Sequence, residues 1–161
     1  MVEASLVNMV ETIGILIGVS IAVYELRNIA KTRKLEILLK YAELTTGEMT
    51  RKYTDMALLQ QFDTYEEWQE KYGPQVNPEA YSNLIAVLNM GNTFGVILKE
   101  GLIEPEILYQ FWLPNANLIM WQRAELLIKA WRERYNEYTL WAPLEYLVED
   151  TKRRYPEIIP G

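Results

Sequence analysis

The longest apolar stretch of the chain covers residues 6–26 and reads LVNMVETIGILIGVSIAVYEL. Its uncharged centre, residues 12–24, would rise only ~20 Å as a helix, which is short of the ~30 Å hydrocarbon core of a bilayer. Including residues 6–11 gives about 21 residues, enough to span, and places one carboxylate, Glu11, near an end where it reaches water. We therefore predict a single membrane-spanning helix, with a buried helix of a soluble helical protein as the alternative.

The charges on either side of this stretch predict its orientation. Glu3 and Glu11 lie before the apolar centre, with no Lys or Arg among them. Basic residues follow it: Arg27, Lys31, Arg33, Lys34 and Lys40. By the positive-inside rule, the short N-terminus lies outside the cell membrane and the rest of the chain is cytoplasmic. A cleaved signal would carry its positive charge on the other side, so we expect an uncleaved anchor. We also expect the first four basic residues to contact anionic lipid headgroups of the bilayer.

Two glycines in the same stretch predict a packing contact. Gly14 and Gly18 are four residues apart and share a helix face on which another backbone can approach closely. The predicted partner is either a second copy of the chain or another membrane protein complex.

Composition removes several kinds of chemistry. The 161 residues include no Cys and no His, which excludes disulfides, thiolate nucleophiles, imidazole bases and the usual zinc, haem and iron–sulfur ligands. We predict no cofactor and no metal. A formal net charge of −6 argues against a nucleic-acid partner.

The remaining pattern predicts an all-α fold. The first helix should continue as a stalk to about residue 45, followed by helices over 48–62, 65–72, 78–100, 106–113, 115–135 and 143–154. Local signals mark the ends: Thr64 and Asn77 as N-caps and Gly101 just past a helix. We expect Pro114 to close the fifth helix, and Asn115 or Asn117 to cap the sixth. The predicted organisation is an anchor at 1–26, a stalk at 27–46, a cytoplasmic helical bundle at 47–155 and a fraying tail at 156–161.

Within the predicted bundle, Gly91 and Gly95 repeat the small-residue spacing and predict a tight crossing with a neighbouring helix. Five Trp and eleven Tyr are many for this length, and most should be core. We single out Trp112, Trp121 and Trp141 as residues that would contact a partner if they were exposed.

Paired carboxylates are the only candidate acid–base groups. They occur at Glu66–Glu67, Glu104–Glu106 and Glu149–Asp150, near helix starts or on charged helix ends. Solvated surface positions that complement helix dipoles explain such pairs, and a di-iron helical site would need His. We therefore predict that the protein is not an enzyme.

Several segments together resemble a known family. They read RNIAKTRKLE at 27–36, YEEWQEKYG at 65–73, NMGN at 89–92 and GVILKEGLI at 95–103, followed by Trp121. The order resembles a family of small bacterial and archaeal membrane-tethered helical proteins grouped as a domain of unknown function, over residues 15–155. The resemblance implies a helical fold and a membrane tether, and it implies no catalytic residue.

Two functions are compatible with these patterns. The first is a non-catalytic accessory or regulatory subunit that binds a larger membrane protein complex through its anchor and its helical domain. The second is an independent tethered module that senses a ligand or forms a homodimer, with a pocket near Asn89, Asn92 and Trp121.

Overall fold

The computed structural model describes the backbone of residues 2–44 and 47–158. It describes the side-chain surroundings of all of these except residues 2–14, 35, 38, 41–44, 58 and 59. The chain divides into two compact units, residues 1–41 and 42–161. The predicted anchor and most of the predicted stalk fall in the first unit.

The described residues form seven α-helices and no β-strand, which confirms the all-α prediction. The helices are α1 (Val2–Leu44), α2 (Gly47–Thr54), α3 (Tyr65–Tyr72), α4 (Pro78–Lys99), α5 (Pro105–Phe111), α6 (Pro114–Tyr135) and α7 (Ala142–Arg154). A π-helical turn, Asp55–Leu59, follows α2, and a 3₁₀ turn, Pro156–Ile158, follows α7.

Helix α1 runs without a break from the apolar stretch into the basic segment, as the absence of Gly and Pro over residues 25–44 predicts. Among the described residues, none of the helices has both the length and the apolar character needed to cross a bilayer. The predicted span at 6–26 falls partly on residues 2–14, whose side chains lie outside the described part.

Local capping explains where several helices of the second unit begin and end. The Glu67 amide donates to the Thr64 hydroxyl at 3.1 Å, and the Ala80 amide donates to the Asn77 side chain at 3.0 Å. Gly101 adopts a left-handed φ of 62°, and the Leu102 amide donates back to the Ile97 carbonyl at 3.0 Å. These three predicted boundaries are confirmed, because each depends on residues within a few positions of one another.

Two boundaries differ from the prediction. The helix predicted over 48–62 is α2 plus the π-helical turn, and it stops where Gln60 becomes extended. Pro114 does not close α5, which ends at Phe111; it opens α6, where the missing N–H costs nothing. Asn115 and Asn117 therefore do not cap α6, and Leu113 at the cap position forms no side-chain cap bond.

The core of the second unit is built mainly by α4 packing on α7, with α6 and the π-helical turn beside them. Gly91 and Gly95 make this crossing close. A Cβ atom at Gly95 would overlap the backbone of Pro143, and one at Gly91 would reach the side-chain ends of Met120 and Leu144. The tight crossing predicted for these glycines is thus confirmed. The apolar residues with no exposed surface lie on α4, α6 and α7: Val87, Leu88, Met120, Ala124, Leu127, Ile128, Leu144, Leu147 and Val148.

Candidate functional site

Helix α1 carries a run of large apolar side chains that are all exposed. We call this run the apolar segment of α1; its exposed fractions lie between 44% and 67%. Its members are Ile15, Leu16, Ile17, Val19, Ile21, Val23, Tyr24 and Leu26.

The apolar segment extends around most of the helix rather than along one stripe. At 3.6 residues per turn, the consecutive residues Ile15, Leu16 and Ile17 point in three different directions. An ordinary surface helix keeps its apolar residues on one face and polar residues on the other, whereas a helix that is apolar all round is surrounded by protein or by lipid. A single neighbouring helix would therefore cover only part of this segment.

Basic side chains begin immediately after the apolar segment. Arg27, Lys31 and Arg33 are exposed, and Lys34 is half-buried. Arg27, Lys31 and Lys34 follow one another at steps of four and three residues and so share one face of α1. The contact with lipid headgroups predicted for these four residues stays a prediction.

The predicted glycine contact also lies on α1. A Cβ atom at Gly18 would meet none of the described residues within 4 Å. Gly14 lies in helix α1, but its surroundings are outside the described side chains. Among the described residues, no contact therefore requires a glycine at position 18.

The three tryptophans singled out from the sequence lie in different surroundings. Trp112 and Trp121 are each 8% exposed, and Trp141 is half-buried at the start of α7. The ring of Trp112 packs edge-on against Tyr53, with centroids 5.8 Å apart, and that of Trp141 lies 5.3 Å from Trp131. These rings pack inside the second unit, and the partner role predicted for them stays a prediction.

Asn89 and Asn92, predicted to line a pocket, both contact the start of α7. The Trp141 indole N–H donates to the Asn89 side-chain oxygen at 3.2 Å, and the Leu144 amide donates to that of Asn92 at 3.3 Å. Both side chains therefore help to hold α7 on α4, which is a structural use. The ligand pocket predicted around them and Trp121 stays a prediction.

The predicted surface placement holds for most of the paired carboxylates. Glu66, Glu104, Glu106 and Glu149 are exposed, and Glu67 is half-buried while it accepts from the Asp63 amide and from Lys71. Within the described residues, no three His, Cys, Asp or Glu side chains are grouped so that they could hold a metal ion.

Asp150 is the exception, and the surface position predicted for it is wrong. Its side chain is only 2% exposed. The Tyr109 hydroxyl donates to its carboxylate at 3.0 Å, and Arg154 donates through Nε at 2.7 Å. Arg153 forms a second ion pair with it. Consecutive residues of a helix point about 100° apart, so Asp150 faces the core while Glu149 faces solvent. Because both residues carry a carboxylate, their residue types alone do not indicate this difference.

Asp150 belongs to a buried polar cluster that joins α5, α6 and α7. We call it the Asp150 cluster; it comprises Tyr109, Trp112, Asn117, Asp150 and Thr151. Asn117 donates to the Thr151 hydroxyl at 3.1 Å and accepts from the Trp112 indole N–H. The Thr151 hydroxyl in turn donates to the Leu147 carbonyl at 2.8 Å. No sequence signal used above indicated this cluster, because its members are separated by up to 42 residues.

The charges in the Asp150 cluster favour a structural role for it rather than acid–base catalysis. Burial raises the pKa of the Tyr109 hydroxyl, and the neighbouring negative charge of Asp150 acts in the same direction. Tyr109 therefore stays protonated and keeps donating to the carboxylate at neutral pH. A carboxylate that two arginines and a phenol already bind is a poor general base, so the cluster is best understood as a structural link.

Tyr53 gives a prediction about alkaline stability. Burial raises the pKa of Tyr53 from 10.0 to about 12, while its hydroxyl donates to the Ala116 carbonyl at 3.1 Å. Between these two values the unfolded chain loses the Tyr53 proton and the folded chain keeps it, so stability present below pH 10 declines as the pH rises. We expect the urea midpoint to fall between about pH 10 and pH 12, and to fall less in Tyr53→Phe. An equal fall in both proteins would contradict the assignment, and Tyr138→Phe, at an exposed position, is the control.

Comparison with known proteins gives one match. The model of a family described as "Domain of unknown function (DUF4760)" matches residues 12–151. No curated protein and no solved structure matches the chain. The match begins inside the apolar stretch and ends in α7, so it covers nearly the whole sequence. The chain therefore belongs to the family described as domain of unknown function DUF4760.

Proposed function

We propose that this protein is a non-catalytic, membrane-anchored accessory or regulatory subunit. In this proposal α1 holds the chain in the cell membrane, with the N-terminus outside and residues 42–161 in the cytoplasm. The helical second unit and α1 both contact a larger membrane protein complex. The observation that carries the proposal is the apolar segment of α1, whose large side chains are exposed around most of the helix.

The apolar surface area of that segment gives an energetic reason for α1 to insert into a membrane. Apolar surface gains about 25 cal/mol for each Å² removed from water, so eight exposed large side chains represent a substantial driving force. A lipid environment covers all sides of a helix together, which a single packed neighbour cannot do. The basic residues lie at one end only, and this asymmetry supports the orientation with the C-terminal side in the cytoplasm.

Support for a binding role rather than catalysis comes from the second unit. Asp150 is occupied by Tyr109, Arg153 and Arg154. The sequence also lacks the Cys and His side chains that most catalytic sites use as nucleophile or base. The proposal therefore gives the protein a binding role, carried out by its exposed apolar and basic surface.

The test separates membrane insertion from association. A tagged full-length chain is expressed, its membranes are washed with alkaline carbonate, and the protein is then purified in mild detergent. We expect it to stay in the membrane pellet and to copurify with another protein. Gly18→Ile should leave the pellet fraction unchanged, since a Cβ at this position meets none of the described residues within 4 Å. It should reduce copurification, because the larger side chain keeps a partner helix from approaching closely. Gly14→Ile should act in the same way.

Ile21→Leu is the matched control for this experiment, since it keeps an apolar residue of the same size on α1. Release of the protein by carbonate would contradict the anchor. Recovery of a lone monomer would contradict the accessory role. Recovery of a second copy of the chain in place of another protein would favour the alternative, a homodimeric tethered module. Unchanged copurification in both glycine variants would place the contact in the second unit.

A further inference from the structure

A groove lined largely by polar and charged residues runs between α2 and α4 in the second unit. We call it the α2–α4 groove; it encloses about 550 Å³, within the range of small-molecule sites. One wall is the face of α2 and the first residue of the π-helical turn, and the other is the start of α4. Its lining residues are Gly47, Thr50, Arg51, Thr54, Asp55, Glu79 and Asn83.

The Asp55 carboxylate in this groove is held in place by two buried amides. Oδ2 accepts from Gln60 Nε2 at 3.2 Å and from Asn83 Nδ2 at 3.3 Å. Gln60 and Asn83 are 1% and 7% exposed, so neither amide moves freely. Gln60 Nε2 also donates to the Ala80 carbonyl at 2.9 Å, which ties the arrangement to α4. Both amide bonds go to Oδ2, and the described residues provide no donor to Oδ1.

The π-helical turn is what brings Gln60 to Asp55. Asp55 is the first residue of this turn, and the Gln60 amide closes it by donating to the Asp55 carbonyl at 3.1 Å. Short π-helical segments are rare and often lie at functional sites. The Gln60 side-chain oxygen is buried and has no hydrogen-bond partner in the described residues. An α-helical continuation would have rotated Gln60 away from this carboxylate.

Charges of both signs face the groove. Arg51 lies one turn before Asp55 on the same side of the chain, and Glu79 lies one turn before Asn83 on α4. The groove is thus lined by one basic residue and two acidic ones. A ligand with an ammonium group and a carboxylate a few ångströms apart would match both signs, and charged hydrogen bonds of this kind are the stronger ones.

We propose that the α2–α4 groove binds the zwitterion of a free amino acid. The ligand ammonium donates to Asp55 Oδ1 and to Glu79, and the ligand carboxylate accepts from Arg51. This site goes beyond the anchoring function and does not depend on it, since all lining residues belong to the second unit. It is also distinct from the surroundings of Asn89 and Asn92.

The test is ligand-dependent stability of the full-length chain in mild detergent, followed by intrinsic tryptophan fluorescence. The probes are the free L-amino acids at about 10 mM, where a ligand with millimolar Kd should raise Tm by roughly 3–5 °C. Each is paired with its N-acetyl form, which lacks the ammonium, and its amide, which lacks the carboxylate. We expect a shift with at least one free amino acid and a much smaller shift with its two derivatives.

Variants then locate the site. Asp55→Asn and Arg51→Gln should each weaken the binding at least tenfold, since each removes one charged contact. Arg51 is exposed, so its variant tests the site without disturbing the core. Glu66→Gln, an exposed carboxylate on α3, is the matched control and should bind normally. The proposal is overturned if no free amino acid shifts Tm, if the derivatives act equally well, or if Arg51→Gln binds as tightly as the unchanged protein.

Discussion

Replacing Asp150 by alanine should lower the free energy of unfolding by about 3 kcal/mol, because it removes the acceptor of a buried polar cluster. The Tyr109 hydroxyl would lose the carboxylate to which it donates at 3.0 Å, and a cavity would open between α5 and α7. Losing this ion-pair partner costs Arg153 and Arg154 less, since their side chains are 67% and 35% exposed and can be solvated by water. Urea unfolding of the full-length chain, followed by tryptophan fluorescence, measures the change.

The neighbouring residue supplies the control for Asp150. Glu149→Ala removes the same charge one position earlier, from a side chain that is 64% exposed and pairs only at the surface with Lys152. Such pairs contribute about 0–1 kcal/mol, so the variant should unfold within about 0.5 kcal/mol of the unchanged protein. Asp150→Asn should cost an intermediate amount, because the amide oxygen still accepts from Tyr109. Equal stability of Asp150→Ala and Glu149→Ala would refute a structural role for the cluster.

Gly95→Ala should destabilise the second unit by about 2–3 kcal/mol, although alanine is normally the better helix former by about 1 kcal/mol. The added Cβ would overlap the Pro143 carbonyl and lie 3.0 Å from the Leu144 amide nitrogen. These are backbone atoms of the first turn of α7, so they give way only if that helix moves. Because α4 packs mainly on α7, the movement would disturb the centre of the core. A fall in Tm, measured at one protein concentration, reports the effect.

Gly91→Ala is the comparison that isolates the backbone clash. Its Cβ would meet only the ends of the Met120 and Leu144 side chains, which can change rotamer. We expect a loss clearly smaller than that of Gly95→Ala, in part offset by the gain in helix propensity. Equal losses of stability in the two variants would show that the close approach of α7 does not explain the glycine at position 95.

Helix ends were the part of the fold that sequence predicted best. Thr64, Asn77 and Gly101 act on backbone groups three to five residues away, so their signals are complete within a short window of sequence. Pro114 shows the limit of such signals. A proline is compatible with the residue after one helix and with the first residue of the next, and only the folded structure shows that Pro114 opens α6.

The candidate sites were predictable to different degrees. The apolar segment of α1 is visible in the sequence of residues 15–26, because a continuous run of apolar residues is a local pattern. The Asp150 cluster and the α2–α4 groove were not predicted. Asp150 and Tyr109 are 41 residues apart, and Asp55 and Asn83 are 28 apart, so neither pair leaves a local pattern.

The sequence by itself determined that this chain is helical, where most helices end, and that an apolar helix is followed by basic residues. These properties depend on backbone capping and side-chain periodicity, which act over one or two turns. Only the tertiary structure decided that Asp150 is buried while Glu149 is exposed, that Gly95 lies against Pro143, and that Gln60 orients Asp55. Each of these depends on which helices pack together, and the free energy of that packing is shared among residues far apart in the chain.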